Sequence, residues 1–209
     1  MPKLLEKTER RLGEKLFIKG ERCIGPKCAF ARRAYPPGAH GKKRARKREA
    51  SGFASLLNQK QKLRFIYGLD DKDIARYSTL ASSKRGIFGA LLIEFLEKRL
   101  DNIIFRIGFA ESRRAARQRI SHGHVLVNGR TVRIPSYSVG KTDEISLKEK
   151  ILHSPLYAGF GERLKKNSKI PKWLLLDPQK QSAKVVGTPE EADAALPIDI
   201  TKIKEFYSR

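Results

Sequence analysis

The sequence predicts an α+β protein: a helical domain with an inserted module of two helices plus a small antiparallel sheet, preceded by an extended basic N-terminal arm. Between residues 53 and 107, apolar residues recur at three- and four-residue spacing, which is typical of amphipathic helices. Strand-like residues then flank Asn128-Gly129, the strongest short-range signal for a β-hairpin. Residues 1–50 lack such periodicity and are interrupted by Gly and Pro, which predicts an extended, turn-rich arm.

Positive charge is the strongest global property of the chain. Its 209 residues include 45 lysines and arginines against 22 aspartates and glutamates, a formal net charge of +23. This favours polyanionic partners through counterion release and electrostatic steering. Because no long apolar run is present and charges interrupt the N-terminal apolar stretches, we expect no membrane partner and no signal peptide. Two cysteines predict no disulfide framework and a reducing, cytoplasmic setting.

The arm ends in a basic run, with six charges in the seven residues 42–48. Six like charges this close repel each other and need counter-charge before the segment can lie compactly. A solvated, flexible run is the alternative interpretation. In a chain this basic we favour phosphate contact through the charged residues of the run, which are Lys42, Lys43, Arg44, Arg46, Lys47 and Arg48.

Two helices are predicted at the start of the helical domain, residues 51–98. The first runs from Phe53 to Tyr67, ends at Gly68 and has three basic residues on its polar side: Lys60, Lys62 and Arg64. The second is capped by Asp70 or Asp71. Its inward residues are expected to be Ile74, Tyr77, Leu80 and Ala81.

The inserted module is predicted to cover residues 99–150. It follows the strongest apolar pattern of the chain, over 87–107, in which we expect a break near Lys98. Ser112 is predicted to cap a short helix that ends before Gly123. The arginines of that helix repel one another unless an anion lies nearby, although solvated surface arginines are the alternative.

Strands are predicted at 124–127, 131–134 and 144–147, which completes the module. Residues 151–172 have mixed character and are predicted to be a connection. The apolar residues near the C-terminus need a partner, and the helical region is the simplest one. We therefore expect 173–209 to complete the domain formed by 51–98.

Motifs for catalysis are missing from the sequence. It contains no phosphate-binding glycine loop, nucleophile elbow or metalloprotease motif. His122 or His124 can serve as a base, but no nucleophile or carboxylate partner lies beside them in sequence. We therefore predict that the protein is not an enzyme. Cys23 and Cys28 flank a turn that can offer two thiolates to zinc, whereas a structural zinc site needs four ligands.

Five stretches of the chain resemble one known family. They are LFIKGERC (16–23), YPPGAHGKKRAR (35–46), KQKLRFIYG (60–68), RLDNIIFRIGFAESRRAARQRISHGHVLVNGR (99–130) and FYSR (206–209). Together they make the chain similar to bacterial-type small-subunit ribosomal protein four along nearly its whole length. The fourth stretch resembles the alpha-L RNA-binding motif, which also occurs in pseudouridine synthases, some tyrosyl-tRNA synthetases and a heat-shock protein.

The resemblance implies a structural component of the small ribosomal subunit that binds 16S-type ribosomal RNA, nucleates assembly of the subunit body and contributes to translational accuracy. It also implies contact with small-subunit ribosomal protein five and with messenger RNA at the entry channel, in a cytoplasmic or an organellar ribosome. Zinc-binding members have a second cysteine pair, whose places here hold Glu6 and Glu9. We therefore expect no zinc and no other cofactor. The alternatives are an RNA-modifying enzyme that uses the same motif, another RNA-binding protein with the alpha-L motif, and an architectural DNA-binding protein.

Recognition is expected to depend on the shape and backbone of folded RNA, with cations on its phosphates. Arginines would supply forked phosphate contacts. His122 and His124 either contact the RNA or brace the turn. Besides the basic run and the three basic residues at 60–64, the predicted RNA-binding residues are Ser112, Arg113, Arg114, Arg117, Gln118, Ser121, His122, Gly123, His124, Asn128, Gly129 and Arg130.

Overall fold

A computed structural model describes residues 6–42, 51–152, 164, 170–194 and 196–208 of the chain. The helices are α1 (Glu6–Leu12), α2 (Ala29–Arg32), α3 (Gly52–Tyr67), α4 (Asp71–Ser83), α5 (Phe88–Glu97), α6 (Leu100–Arg106), α7 (Arg113–Ser121), α8 (Glu149–Leu152), α9 (Glu191–Ala194) and α10 (Ile200–Tyr207). The strands are β1 (Val125–Val127), β2 (Arg130–Thr131), β3 (Glu144–Leu147), β4 (Leu174–Asp177) and β5 (Ser182–Val185).

Two compact units make up the chain. Unit 1 comprises Met1–Leu92 and Leu196–Arg209, and unit 2 comprises Ile93–Ala195. In the part of the chain that the structure describes, no helix is long and apolar enough to cross a lipid bilayer.

In unit 1, α3 begins and ends at residues suited to those positions. The Ser51 hydroxyl accepts a hydrogen bond from the Ala54 amide, and Gly68 ends the helix with a φ of +63°. This confirms the predicted end at Gly68. The C-terminal helix α10 packs against α3 and α4. Its Phe206 ring lies 5.9 Å from the Phe53 ring, so the apolar C-terminal residues have their partner in unit 1.

Along α4, three of the four residues predicted to point inward are buried. Ile74, Tyr77 and Ala81 are in the core, which confirms the helical spacing. Leu80 is an error of the prediction, because 43% of its surface is exposed. At 100° per residue it lies outside the stripe formed by the other three.

The N-terminal arm contains more structure than the extended conformation expected for it. Besides α1 and α2, it has a 3-10 turn at Gly20–Cys23. Leu16, Cys23 and Cys28 of this segment are buried. The sequence did not indicate this arrangement, because the buried positions follow no helical or strand period and glycines and prolines interrupt the segment. Residues 43–48 of the basic run lie outside the described residues.

Unit 2 is organised around a five-stranded antiparallel sheet with strand order β2-β1-β3-β5-β4. β1 and β2 form the predicted hairpin, in which Val127 is opposite Arg130. The segment 174–185 differs from the expected organisation, because β4 and β5 extend this sheet and do not join α3. Ala183 pairs with Ile145 and both are buried, so the core of unit 2 requires these strands.

Between α5 and α6 the chain breaks where the sequence predicted it, near Lys98. The Lys98 carbonyl accepts a hydrogen bond from the Val139 amide, and the Leu100 amide donates to the Tyr137 carbonyl, each at 2.9 Å. The segment after the hairpin thus satisfies backbone groups that a continuous helix would have paired internally. As a result α6 packs on α7 inside unit 2.

Candidate nucleic-acid interface

Helix α7 has one face in the core of unit 2 and polar residues on the rest of its surface. The Ser112 hydroxyl caps it by accepting from the Ala115 amide at 3.2 Å, as predicted. Ala116 and Ile120 are fully buried. Ser112 therefore begins the helix, and its hydroxyl is already engaged by the backbone.

Three of the predicted contacts of α7 lie on its open surface. Arg114, Gln118 and Ser121 are exposed, and they are spaced so that their side chains follow one another along the helix. His122, at the end of the helix, is exposed as well. The strip formed by Arg114, Gln118 and Ser121 is therefore accessible to a large ligand without any rearrangement of the core.

Arg113 and Arg117, in contrast, are directed at α6. The Arg113 Nε donates to the Asn102 Oδ1 at 2.8 Å, and its guanidinium lies 4.5 Å from the Phe105 ring centroid. The Arg117 Nε donates to Asp101 at 2.6 Å, and its side chain is 13% exposed. Both arginines hold α7 against α6, and their contact with phosphate stays a prediction.

A buried polar network beneath α7 completes this anchorage. Asp101, 2% exposed, also accepts from the Arg99 Nε at 3.0 Å and from an Arg99 terminal nitrogen at 2.8 Å. Glu97, fully buried, accepts from the Asn102 amide and from Arg106. Each carboxylate faces arginine donors, which offsets the cost of removing its charge from water. The position of α7 therefore depends on α5 and α6.

The turn after α7 brings two histidines together. The His122 and His124 rings are 5.6 Å apart at 82°, an edge-to-face arrangement. Burial lowers the pKa of His124, and the positive charges of His122, Arg119 and Lys148 lower it further. His124 is therefore neutral near pH 7, and its buried Nδ1 has no hydrogen-bond partner within the described residues. A bound phosphate beside these cations would raise this pKa again.

We expect acid to destabilise unit 2 through His124. Its folded-state pKa is below the 6.5 of the unfolded chain, so the unfolded state binds more protons and stability falls as the pH drops below about 6.5. Urea denaturation between about pH 5 and pH 7.5 measures this loss. His124→Asn removes the titrating group and should flatten that part of the profile, whereas an unchanged profile would exclude His124 as its origin.

Gly123 is required by the turn itself. Its φ is +72°, and an added Cβ would lie 2.9 Å from the Arg133 Nε and 3.3 Å from a Thr131 methyl group. We expect Gly123→Ala to lower the free energy of unfolding by about 1–2 kcal/mol. Gly52→Ala is the matched control, because a Cβ at Gly52 meets nothing within 4 Å and its φ is ordinary. Equal unfolding midpoints for the two variants would contradict this role.

The hairpin turn is fixed by Asn128 as well as by Gly129. Their φ values of +50° and +77° are those of a type I′ turn, at the position where the sequence predicted a hairpin. The Asn128 amide nitrogen donates to Asp143 at 2.8 Å, and its oxygen accepts from the Glu144 amide at 2.9 Å. Asn128 thus joins the hairpin to the next turn. Arg130 follows it and is exposed.

Three further cations, not among the predicted RNA-binding residues, lie around the turn that follows α7. Arg133 is exposed, and its side chain passes over Gly123. Arg119 and Lys148 lie close enough to His124 to lower its pKa. The segment that returns from the hairpin contains both Arg130 and Arg133, and this basic character is the sequence signal for Arg133. Lys148, in contrast, reaches the turn only through the pairing of β1 with β3.

In unit 1, the three basic residues of α3 form ion pairs. Lys60 and Arg64 lie 2.7 and 2.8 Å from Asp71, and Lys62, itself buried, lies 2.6 Å from Glu14. These pairs connect α3 to α4 and to the arm. Burial and the Asp71 carboxylate raise the pKa of Tyr207 on α10 to about 12, so its hydroxyl keeps its proton beside this cluster. Phosphate contact by the three residues stays a prediction.

Lys42 is the one predicted arm residue whose surroundings the structure describes. It is exposed, and its Nζ lies 5.8 Å from the Tyr35 ring centroid. The other charged residues of the run, Lys43, Arg44, Arg46, Lys47 and Arg48, lie outside the described residues. Across residues 6–42 and the other described ranges, no group of three or more His, Cys, Asp or Glu is arranged to hold a metal ion.

A basic helix with an open polar strip, followed by a hairpin on a small antiparallel sheet, defines an RNA-binding domain of the S4 type. Residues 98–145 match the model of the S4 domain, and residues 5–97 match the ribosomal protein S4/S9 N-terminal domain. The small ribosomal subunit protein uS4 of Thermus thermophilus is 47% identical over 200 residues, covering 96% of this chain and 94% of the relative. That of Persephonella marina is 44% identical over 207 residues, covering 98% and 96%. The chain belongs to the ribosomal protein S4 family, as its sequence motifs predicted.

Proposed function

We propose that this chain is a structural component of the small ribosomal subunit and binds small-subunit ribosomal RNA through the outer surface of unit 2. The relatives that match nearly its whole length are small ribosomal subunit proteins, and the family is structural and non-enzymatic. The observation that carries the proposal is the strip of Arg114, Gln118 and Ser121. These side chains are exposed on a helix whose position is held by buried ion pairs.

The functional groups of the strip determine how the protein would recognise RNA. A guanidinium, an amide and a hydroxyl can contact phosphates and 2′-hydroxyl groups, which report the shape of folded RNA and little of its base sequence. Arg130, Arg133 and Lys148 add charge at the hairpin end of the same unit. The hairpin and the rigid helix then fix the register of the protein on the RNA.

The finer parts of the proposal rest on the family resemblance. They are early binding to the 16S-type RNA, nucleation of the subunit body, a contribution to translational accuracy, and contact with small-subunit ribosomal protein five and with messenger RNA at the entry channel. A cytoplasmic ribosome is the proposed location, and an organellar ribosome is the alternative. The basic run at 42–48 would contact the same RNA.

We expect the double variant Arg114→Ala/Arg130→Ala to bind a transcript of small-subunit ribosomal RNA more weakly, with an unchanged unfolding midpoint. Each phosphate contact that is lost reduces the slope of log affinity against log salt by about 1, so the slope should fall by about 2. Filter binding over a salt series measures it. Arg114→Lys/Arg130→Lys keeps both charges and should preserve most of the slope. A double alanine variant with the parent's affinity and slope would exclude this strip.

A further inference from the structure

In unit 1, Phe17 combines an exposed aromatic ring with an uncommon backbone conformation. Its side chain is 53% exposed. Its φ is +54°, in the left-handed region that residues other than glycine, asparagine and aspartate rarely adopt. Neither the exposed ring nor the left-handed backbone of Phe17 stabilises the folded chain. Outliers of this kind are concentrated at binding sites, where surrounding contacts enforce them.

A buried carboxylate enforces the conformation of Phe17. Glu9 is 1% exposed, and its Oε1 accepts hydrogen bonds from the Leu16 and Ile18 amides, both at 3.1 Å. These two amides flank Phe17 on either side. Leu16 is buried, while the Phe17 carbonyl accepts from the Gly20 amide at 3.1 Å. The chain is thus held so that Leu16 points into the protein and Phe17 points out of it.

A positively charged side chain lies beside the Phe17 ring. The Lys15 Nζ lies 5.0 Å from the centroid of the Phe17 ring. The nearest acidic residue in sequence, Glu14, is paired with Lys62. Residues 1–50 as a whole hold 16 basic and 5 acidic residues. An aromatic face beside an ammonium group is the combination with which proteins hold an unstacked base of RNA, the ring stacking on the base and the cation meeting its phosphate.

We propose that Phe17 is a stacking platform for an unstacked RNA base, and that Lys15 contacts the adjoining phosphate. The inference rests on the proposed function and adds to it a base contact in unit 1, outside the S4 domain. An apolar pocket on a neighbouring protein is the competing occupant. The ammonium group of Lys15 favours the RNA, because it can contact a phosphate beside a stacked base but finds no counter-charge in an apolar pocket.

Phe17→Ala should weaken binding of the full chain to a transcript of small-subunit ribosomal RNA by roughly 5- to 150-fold, the range that loss of one stacked base produces. Ile24→Ala is the control for lost apolar surface, because Ile24 is 74% exposed in the same segment. It should bind as the parent does. Phe17→Gly relieves the backbone, so its unfolding midpoint should equal or exceed that of the parent while its affinity falls.

Phe17→Trp provides a direct readout of stacking. Its affinity should match the parent's, and its added fluorescence should be quenched by the transcript once the emission of Trp173 in the parent is subtracted. If Phe17→Ala keeps the parent's affinity for the protein-free transcript and Phe17→Trp is not quenched, the inference is overturned, and a protein partner becomes the occupant. If instead the parent itself does not bind the transcript, the proposed function fails. The two failures are distinguishable, because Arg114→Ala/Arg130→Ala weakens binding in the first case and has no binding to weaken in the second.

Discussion

Replacing Asp101 by Ala should lower the free energy of unfolding by about 3–5 kcal/mol, the usual cost of removing one partner from a buried ion pair. Asp101 is 2% exposed and accepts from both Arg99 and Arg117, whose side chains are 5% and 13% exposed. Without the carboxylate, the two guanidinium groups lose their shared counter-charge inside unit 2. Because Arg117 holds α7 on α6, the loss should be greatest around α7.

The matched control is Glu94→Ala. Glu94 pairs with Lys98 one helical turn away, and its side chain is 28% exposed. An ion pair in such a position contributes at most about 1 kcal/mol. Urea denaturation compares the variants, and hydrogen exchange of the α6 and α7 amides locates the effect. Similar losses for the two variants would mean that the buried network does not position α7.

The affinity of the chain for small-subunit ribosomal RNA should fall roughly 10³- to 10⁵-fold as salt rises from about 50 to 200 mM, if about 6–10 phosphates are neutralised. The proposed sources of these contacts are the exposed cations of unit 2, in a chain whose net charge is +23. Ion release drives this dependence, since cations from the protein replace the counterions condensed on the RNA. Equilibrium filter binding over the salt series measures the slope.

A neutral osmolyte serves as the control for that experiment. Sucrose at the same osmolality leaves counterions in place, so the affinity should stay nearly constant. A flat response to salt would show that the interface depends on uncharged contacts, and the electrostatic part of the proposal would then be abandoned.

Local signals predicted the elements that form the candidate interface. The Ser112 cap, the end of α7 at Gly123 and the Asn128-Gly129 turn each depend on residues within a few positions of one another. Such interactions are visible in sequence because the backbone conformation and its partner are adjacent in the chain.

The sequence did not show which arginines of α7 are exposed and which contact α6. Helical spacing places Arg113 and Arg117 on one face and Arg114 on a neighbouring one, but it does not show that only Arg114 is exposed. The other two contact Asn102 and Asp101, which lie 11 and 16 residues away. Their roles are set by how α6 packs on α7, a tertiary arrangement.

The remaining differences between the predicted and the observed structure involve residues that lie far apart in the chain. Lys62 has the appearance of a surface cation, but it pairs with Glu14, 48 residues earlier in the chain. β5 joins β3 across the connection, and Ala183 becomes a core residue opposite Ile145. Pairings over such distances leave no periodic trace in the sequence.

Short-range photo-crosslinking from α7 tests most directly whether this helix contacts the ribosomal RNA. Benzoyl-phenylalanine placed at Gln118, on the open strip, is compared with the same group at Lys180, an exposed residue at the turn between β4 and β5, in reconstituted small ribosomal subunits. We predict that position 118 crosslinks to small-subunit ribosomal RNA more efficiently than position 180. Crosslinks to RNA from position 180 with none from position 118 would contradict the proposed interface.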